Sequence, residues 1–359
     1  MKPSLETEPE NAETAGPDGL NVQALSDWLT SRVPEFTAPA RVRMLSAGRS
    51  NIIYELIDSN DKRYVLRRPP QGGTAARTHD VVREWRILEA LDRTAVPTPP
   101  LVAMCESDSV IGAPFFVMAF VDARPLNFET AQTLSTTAQQ QLQTSLADTL
   151  QTLHSVDIDA IGLGSFRRTR SVVERQVALW QARLDKLVAE IAPDMHTDMT
   201  DLGRRLVARQ PTAAHQRLVH GDFKADNLMV GDDGHVVAVL DWELTTTGDP
   251  LFDLAWLLMW WGDDYYTGPW LSTPTNHDRQ LCSGHAIAER YLSVSAVDGA
   301  QLSYYLAFAY WRLSAINLVT RARFASGAMA GKSLDMERMD AQLQWQVQAS
   351  RGHLDANTE

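Results

Sequence analysis

The pattern of apolar and polar positions changes character near Asp122. Before it, apolar and polar residues alternate on either side of the turn Ser59-Asn60-Asp61, which predicts paired β-strands. The predicted strands cover residues 41–68, 101–105 and 115–121, and apolar positions at helical spacing predict helices over 20–36 and 79–92. One helix set among strands in this way is typical of a small α+β lobe built on an antiparallel sheet.

After Asp122 the helical period dominates. Helices are predicted over residues 135–154, 171–209 and most of 249–349, with short strands at 217–220, 228–230 and 236–240. We therefore predict an α+β, bilobal fold with a small antiparallel-sheet lobe, residues 20–122, and a larger, mainly helical lobe, residues 123–352. Residues 1–19 are acidic and hold no apolar stretch, so we expect a disordered lead-in there.

Composition and charge exclude several classes of partner. The net charge of −12 argues against nucleic acid as a partner and against a polybasic membrane anchor. The longest apolar runs, residues 254–261 and 304–311, are too short to span a bilayer, and no signal peptide is recognised. The two cysteines, Cys105 and Cys282, lie far apart and outside any metal-ligand spacing. We expect a soluble, cytoplasmic protein whose oligomeric state the sequence leaves open.

The strongest chemical signal is the segment His220-Gly221-Asp222-Phe223-Lys224-Ala225-Asp226-Asn227, followed after a turn by Asp241 at the end of a second apolar strand. Phosphoryl transfer from a nucleotide needs a carboxylate for the acceptor hydroxyl and hard oxygen ligands for magnesium. Asp222 can supply the first, and Asn227 and Asp241 can supply the second. The spacing predicts that these three side chains turn toward one point.

These segments resemble the aminoglycoside phosphotransferase and choline kinase group, relatives of the protein kinases. The likeness lies in the His-Gly-Asp-x-x-x-x-Asn pattern of residues 220–227, in Leu240-Asp241-Trp242 and in residues 248–255. It implies a protein-kinase-like fold, ATP or GTP as the phosphoryl donor, Mg²⁺ as cofactor, and a small-molecule hydroxyl as acceptor. Lys224 either contacts the transferring phosphoryl group, as in protein kinases, or is a solvated loop charge. His220 is expected to hold the loop by hydrogen bonds, and Asp249 and Asp253 to brace it.

In the small lobe the likeness is weaker. The loop at residues 46–51 lies where kinases place a phosphate-covering loop, with Gly48, Ser50 and Asn51 as contacts; it would otherwise be an ordinary hairpin turn. A second set of residues is expected to contact the nucleotide. This expectation rests on strand alternation and on the likeness to kinases. Val65 and Arg67 share one strand face, Arg67 takes the place of the kinase lysine and pairs with Glu84, and Met118 lies in the strand that leads toward the adenine.

The acceptor is less defined. Residues 67–70, 79–81 and 111–115 resemble the phosphotransferase domains related to those fused to acyl-CoA dehydrogenases, which implies a hydroxyacyl compound, free or as its CoA thioester. The aromatic end of residues 253–266 either lines an acceptor pocket or is core packing. An aminoglycoside or a choline-like amino alcohol are alternative acceptors. Because arginine replaces the usual lysine at residue 67, a nucleotide-binding pseudokinase with a regulatory role is the rival function.

Overall fold

The computed structural model describes residues 17–47, 51–70, 80–211, 216–261, 283–329 and 334–356. The chain divides into two compact units. The first comprises the described residues up to Arg93 together with Thr98–Asp122, and the second comprises Thr94–Pro97 and the described residues from Ala123 onward. Most of the expected lead-in, residues 1–16, lies outside the described residues, while Pro17–Gly19 form a 3₁₀ turn. The predicted mixed α+β class is confirmed.

The first unit is a five-stranded antiparallel sheet in the order β1-β2-β3-β5-β4. Its elements are α1 (Val22–Arg32), β1 (Arg41–Ala47), β2 (Ile52–Ile57), β3 (Arg63–Arg68), α2 (Val81–Leu91), β4 (Leu101–Cys105) and β5 (Phe115–Ala119). Apolar and polar residues alternate in β2 and β3 because one face of these strands is buried. Tyr54, Leu56, Tyr64 and Leu66 lie on that face and share a buried cluster with Leu25 and Leu29 of α1. On the opposite face, α2 packs against β4 and β5, and Arg67 and Phe116 are buried.

Helices dominate the second unit. They are α3 (Phe128–Thr133), α4 (Thr136–His154), α5 (Val172–Leu187), α6 (Pro193–Ala208), α7 (Leu251–Trp261), α8 (Gly284–Val294), α9 (Leu302–Ala325) and α10 (Met336–Ala356). Side-chain caps fix several starts: Ser135 and Ser171 accept backbone N–H groups at the first turns of α4 and α5. The central helix is α9, which is buried on nearly every side and packs against α5, α6, α7 and α10.

Five short strands in the described part of the second unit flank residues 220–227 and residue 241. They are β6 (Arg124–Pro125), β7 (Arg217–Val219), β8 (Leu228–Val230), β9 (Val236–Val239) and β10 (Thr246–Gly248). β7 pairs antiparallel with β10, and β8 lies between β6 and β9. Sequence patterning missed β6 and β10, which are two and three residues long, because such short strands leave no periodicity to detect. No helix in the described ranges is long and apolar enough to cross a bilayer.

Candidate active site

The loop at residues 220–227 begins where β7 ends. Leu218 and Val219 of β7 are fully buried, so the strand is anchored in the core and delivers His220 and Asp222 at a fixed position. The β8–β9 hairpin then brings the chain back: the N–H of Leu240 donates to the carbonyl of Asn227 at 2.8 Å. The residue before Asp241 is therefore tied to Asn227, which lies five residues after Asp222 in the same loop.

The carboxylate of Asp222 accepts hydrogen bonds on both oxygens. Oδ1 receives the indole Nε1 of Trp256 at 2.8 Å. Oδ2 lies 3.1 Å from Nδ2 of Asn227 and 3.1 Å from Nζ of Lys224. The side chain keeps 15% exposure, so it is fixed in direction and still reachable from solvent. A carboxylate held in this way can accept a proton from a hydroxyl placed beside it.

Asn227 is oriented by the same network. Its Nδ2 donates to the main-chain carbonyl of Asp222 at 2.9 Å as well as to the carboxylate. Because both donor contacts use the amide nitrogen, the amide oxygen is turned the other way, where it can ligate a hard cation.

Asp241 has an unusual backbone for a residue with a side chain. Its φ of 64° and ψ of 66° lie in the left-handed region, which costs a non-glycine residue about 1–2 kcal/mol. Such strain is often found where a side chain must point in one direction for function. The described residues contain no cluster of three or more His, Cys, Asp or Glu side chains suited to a metal. One carboxylate and one amide oxygen nevertheless fit magnesium, which takes few protein ligands and relies on substrate phosphates.

The imidazole of His220 is a structural bridge. Nε2 lies 2.9 Å from the carbonyl oxygen of Leu240, which can only accept, and Nδ1 lies 3.2 Å from the N–H of Asp222, which can only donate. The two contacts together require a neutral ring protonated on Nε2. His220 therefore ties the start of the loop to the residue before Asp241, which is the scaffold role that its sequence position suggests.

Asp253 of α7 braces the loop from beneath. Its fully buried carboxylate accepts the N–H of His220 at 2.6 Å and the N–H of Gly221 at 2.9 Å, and it lies 3.2 Å from Nε2 of His154. Gly221 has a φ of +86°, and a side chain there would meet the carbonyl of Leu244 at 2.5 Å, so only glycine fits. Asp249, the other expected brace, accepts the N–H of Leu251 at the start of α7.

The first unit holds the remaining predicted residues. Arg67 and Glu84 form a buried ion pair, with Nε of Arg67 2.8 Å from Oε2 of Glu84 and side chains 7% and 2% exposed. Val65 and Met118 are directly paired across β3 and β5, and Val65 shares its sheet face with Arg67. Asn51 is buried at the start of β2. Gly48 and Ser50, the other two expected loop contacts, lie outside the described residues.

Three polar residues of this site escape the sequence patterns. Trp256 of α7 donates its indole N–H to Asp222. Arg312 of α9 is 4% exposed and donates from Nη1 to the carbonyl of Gly221 at 2.9 Å. His154 of α4 reaches Asp253 and, through Nδ1, the hydroxyl of Tyr291 at 2.7 Å. Of these, only Arg312 leaves a signal in the sequence, as the one charge within the apolar stretch at residues 304–319.

The chain is similar to mouse acyl-CoA dehydrogenase family member 10, with 29% identity over 88% of this chain and 30% of that protein. It is also similar to rat acyl-CoA dehydrogenase family member 11, with 32% identity over 67% of this chain and 31% of that protein. The chain thus spans about a third of the length of these relatives.

Solved structures give the same fold. A candidate aminoglycoside phosphotransferase from Ralstonia eutropha superimposes with a TM-score of 0.77 at 26% identity, covering 94% of this chain and 99% of that one. The complex of the aminoglycoside phosphotransferase APH(2″)-IIa with streptomycin and ATP gives a TM-score of 0.59 at 16% identity, covering 91% and 97%. The second likeness concerns the fold alone. The profile of the phosphotransferase enzyme family APH matches residues 41–269, and the chain belongs to that family.

Proposed function

We propose that this chain is a small-molecule kinase that transfers the γ-phosphoryl group of a magnesium-bound nucleoside triphosphate to a hydroxyl group. The observation that carries the proposal is the Asp222 carboxylate, which is partly exposed and held by Trp256, Asn227 and Lys224. A carboxylate fixed in this way is suited to orient an acceptor hydroxyl and to take its proton as the oxygen attacks phosphorus.

Magnesium is assigned to Asn227 and Asp241. When bound there, it would neutralise negative charge on the phosphates of the nucleotide. Lys224 lies 3.1 Å from Asp222, and its ammonium can either steady that carboxylate or approach the transferring group.

The nucleotide contacts proposed in the first unit form a separate set. Arg67, held by Glu84, is the proposed phosphate contact, together with Gly48, Ser50 and Asn51. Val65 and Met118 are proposed to contact the base of the nucleotide. Both ATP and GTP are retained as donors.

For the acceptor we propose a hydroxyacyl compound, free or as its CoA thioester. The curated relatives carry acyl-CoA dehydrogenase names, which associates this type of domain with acyl-CoA chemistry. The charges near Asp222 support an acceptor that is not a polycation. Lys224 lies 3.1 Å from this carboxylate, and a cation beside the reacting group disfavours a polycationic acceptor. An aminoglycoside or choline-like acceptor stays the alternative.

The test is a nucleotide-consumption screen with the purified full chain. Mg-ATP and Mg-GTP would be offered with hydroxyacyl-CoAs, free hydroxy acids, choline and aminoglycosides, and product phosphorylation would be checked by mass spectrometry. We expect acceptor-dependent consumption with a hydroxyacyl compound that disappears in Asp222→Ala. Nucleotide binding without transfer to any acceptor would instead support a nucleotide-binding regulatory module. Consumption with aminoglycosides alone would overturn the acceptor proposal and leave the reaction class intact.

A further inference from the structure

Arg312 is a buried cation directly beneath the candidate catalytic loop. Its residue exposure is 4%, and no ion pair joins it to a carboxylate within the described ranges. Nη1 donates to the carbonyl of Gly221, while Nε is buried without a hydrogen-bond partner. Burial lowers the pKa of Arg312, and the charges of Asp222 and Asp253 oppose that shift. Burying a guanidinium in this way is costly, and an apolar side chain would pack the same space at lower cost. Stability alone therefore does not account for an arginine at this position.

One route from Arg312 to Asp222 runs through the backbone. The N–H of Gly221 is fixed by Asp253 at 2.9 Å, and its carbonyl is fixed by Arg312 at 2.9 Å. Gly221 immediately precedes Asp222 and has a left-handed φ of +86°. Since rotation about this residue would redirect the Asp222 side chain, holding the glycine from both sides fixes where the carboxylate points.

A second route runs through an aromatic ring. The guanidinium carbon of Arg312 lies 4.3 Å from the ring centroid of Trp256 and 5.4 Å from that of Phe252. A cation over an indole is attracted to the ring face. The same indole donates its N–H to Oδ1 of Asp222 at 2.8 Å. Arg312 therefore contacts two of the groups that aim the carboxylate, the Gly221 carbonyl and the Trp256 indole.

We propose that Arg312 is a positioning residue for phosphoryl transfer, holding Asp222 through the Gly221 carbonyl and the Trp256 indole. The inference rests on the proposed function, because Asp222 must act on the acceptor hydroxyl for its positioning to change the rate. A displacement of about 1 Å at a reacting group can cost about 100-fold in rate. The proposal therefore predicts a large effect on kcat from a side chain that touches no substrate.

The first experiment follows the indole directly and needs no turnover. With isotope-labelled tryptophan, the Nε1–H resonance of Trp256 is identified among the 10 tryptophans by its loss in Trp256→Phe. In Arg312→Met we expect this resonance to shift and its hydrogen exchange to accelerate by about tenfold or more. Arg312→Lys, which keeps the charge and loses the planar stacking surface, should give an intermediate change. The matched control is Arg321→Met, which removes another arginine of α9 that pairs with Asp340 at 2.8 Å; its Trp256 resonance should be that of the wild type.

The second experiment measures kcat and KM with Mg-ATP and the acceptor found in the screen, or water where none is found. We expect kcat to fall by about 10- to 100-fold in Arg312→Met, with KM for ATP unchanged and partial recovery in Arg312→Lys. If Arg312→Met does not fold, Arg312→Lys carries both tests. A wild-type indole resonance, or a loss of kcat no larger than in Arg321→Met, overturns the proposal. If Asp222→Ala keeps full activity, the proposed function fails, and the indole measurement still decides whether Arg312 positions the carboxylate.

Discussion

Asn227 donates from Nδ2 to the Asp222 carbonyl at 2.9 Å and to the Asp222 carboxylate at 3.1 Å. One amide thus ties together the main chain and the side chain of the residue that we assign to the acceptor hydroxyl. The arrangement divides the work between neighbours. In the proposed function the partly exposed carboxylate of Asp222 accepts the proton, and the amide oxygen of Asn227 is directed away from it. This division makes the two roles separable by mutation.

Asp222→Ala should remove acceptor activation and leave nucleotide binding nearly intact. General-base catalysis contributes about 10²- to 10⁴-fold, so we expect kcat to fall by that range, while the dissociation constant for Mg-ATP changes by less than about threefold. The matched control is Asp226→Ala, which removes an exposed carboxylate from the same loop. Steady-state kinetics and calorimetric titration test the two expectations. Full activity in Asp222→Ala would contradict the proposed mechanism.

Asp241→Asn tests the magnesium assignment without disturbing the backbone. Asparagine tolerates the left-handed φ of 64° that Asp241 adopts, so the substitution removes charge and little else. We expect the magnesium concentration that gives half-maximal activity to rise by about tenfold or more. Asp232→Asn, which alters a 94% exposed side chain in the β8–β9 turn, serves as the control. An unchanged magnesium dependence in Asp241→Asn would show that the carboxylate charge of this residue does not contribute to magnesium binding.

The Arg67–Glu84 ion pair is buried, which makes its partners mutually dependent. Removing either one leaves an uncompensated charge, so Arg67→Met and Glu84→Gln should each lower the free energy of unfolding by about 3–5 kcal/mol. The double variant should lose clearly less than the sum of the two. Urea denaturation measures all three. Arg41→Met, which breaks the exposed Arg41–Asp61 pair, should cost under about 1 kcal/mol. Additive losses at residues 67 and 84 would show that the pair is not coupled.

The sequence indicates which loop residues lie together, but it does not indicate which residues of α7 and α9 contact that loop. Alternation along residues 52–68 identifies β2 and β3 because one face of that sheet is buried against α1. The proximity of Asp222 and Asn227 follows from their spacing, since they lie five residues apart in the chain. Trp256 and Arg312 lie 34 and 91 residues from their partners in the loop. Because α7 and α9 are apolar on nearly every side, their periodicity does not indicate which residue faces the loop.

The left-handed backbone of Asp241 is a further feature that no pattern predicts. Aspartate adopts this conformation more often than most residues, but only at a few positions where the surrounding structure supports it. Here the hydrogen bonds of Leu240 to Asn227 and to His220 fix the residue immediately before it. The constraint therefore comes from tertiary contacts across the hairpin, and residue identity alone gives no sign of it.

The stability of the first unit should depend on pH through Glu55. Burial alone would raise the pKa of this carboxyl, but the hydrogen bonds and charges of Arg43 and Arg63 outweigh it and hold the pKa below its ordinary value of 4.5. A carboxyl with a lowered folded-state pKa stabilises the protein above its unfolded value, and this contribution is lost as the pH falls below 4.5 toward the folded value. When the pH is lowered from above 4.5 to below it, the thermal midpoint of the wild type should drop further than the thermal midpoint of Glu55→Gln. The control is Glu89→Gln, which removes one negative charge at an exposed position of α2 and so matches the change in net charge. Equal drops in the wild type and in Glu55→Gln would show that another carboxylate governs the acid sensitivity.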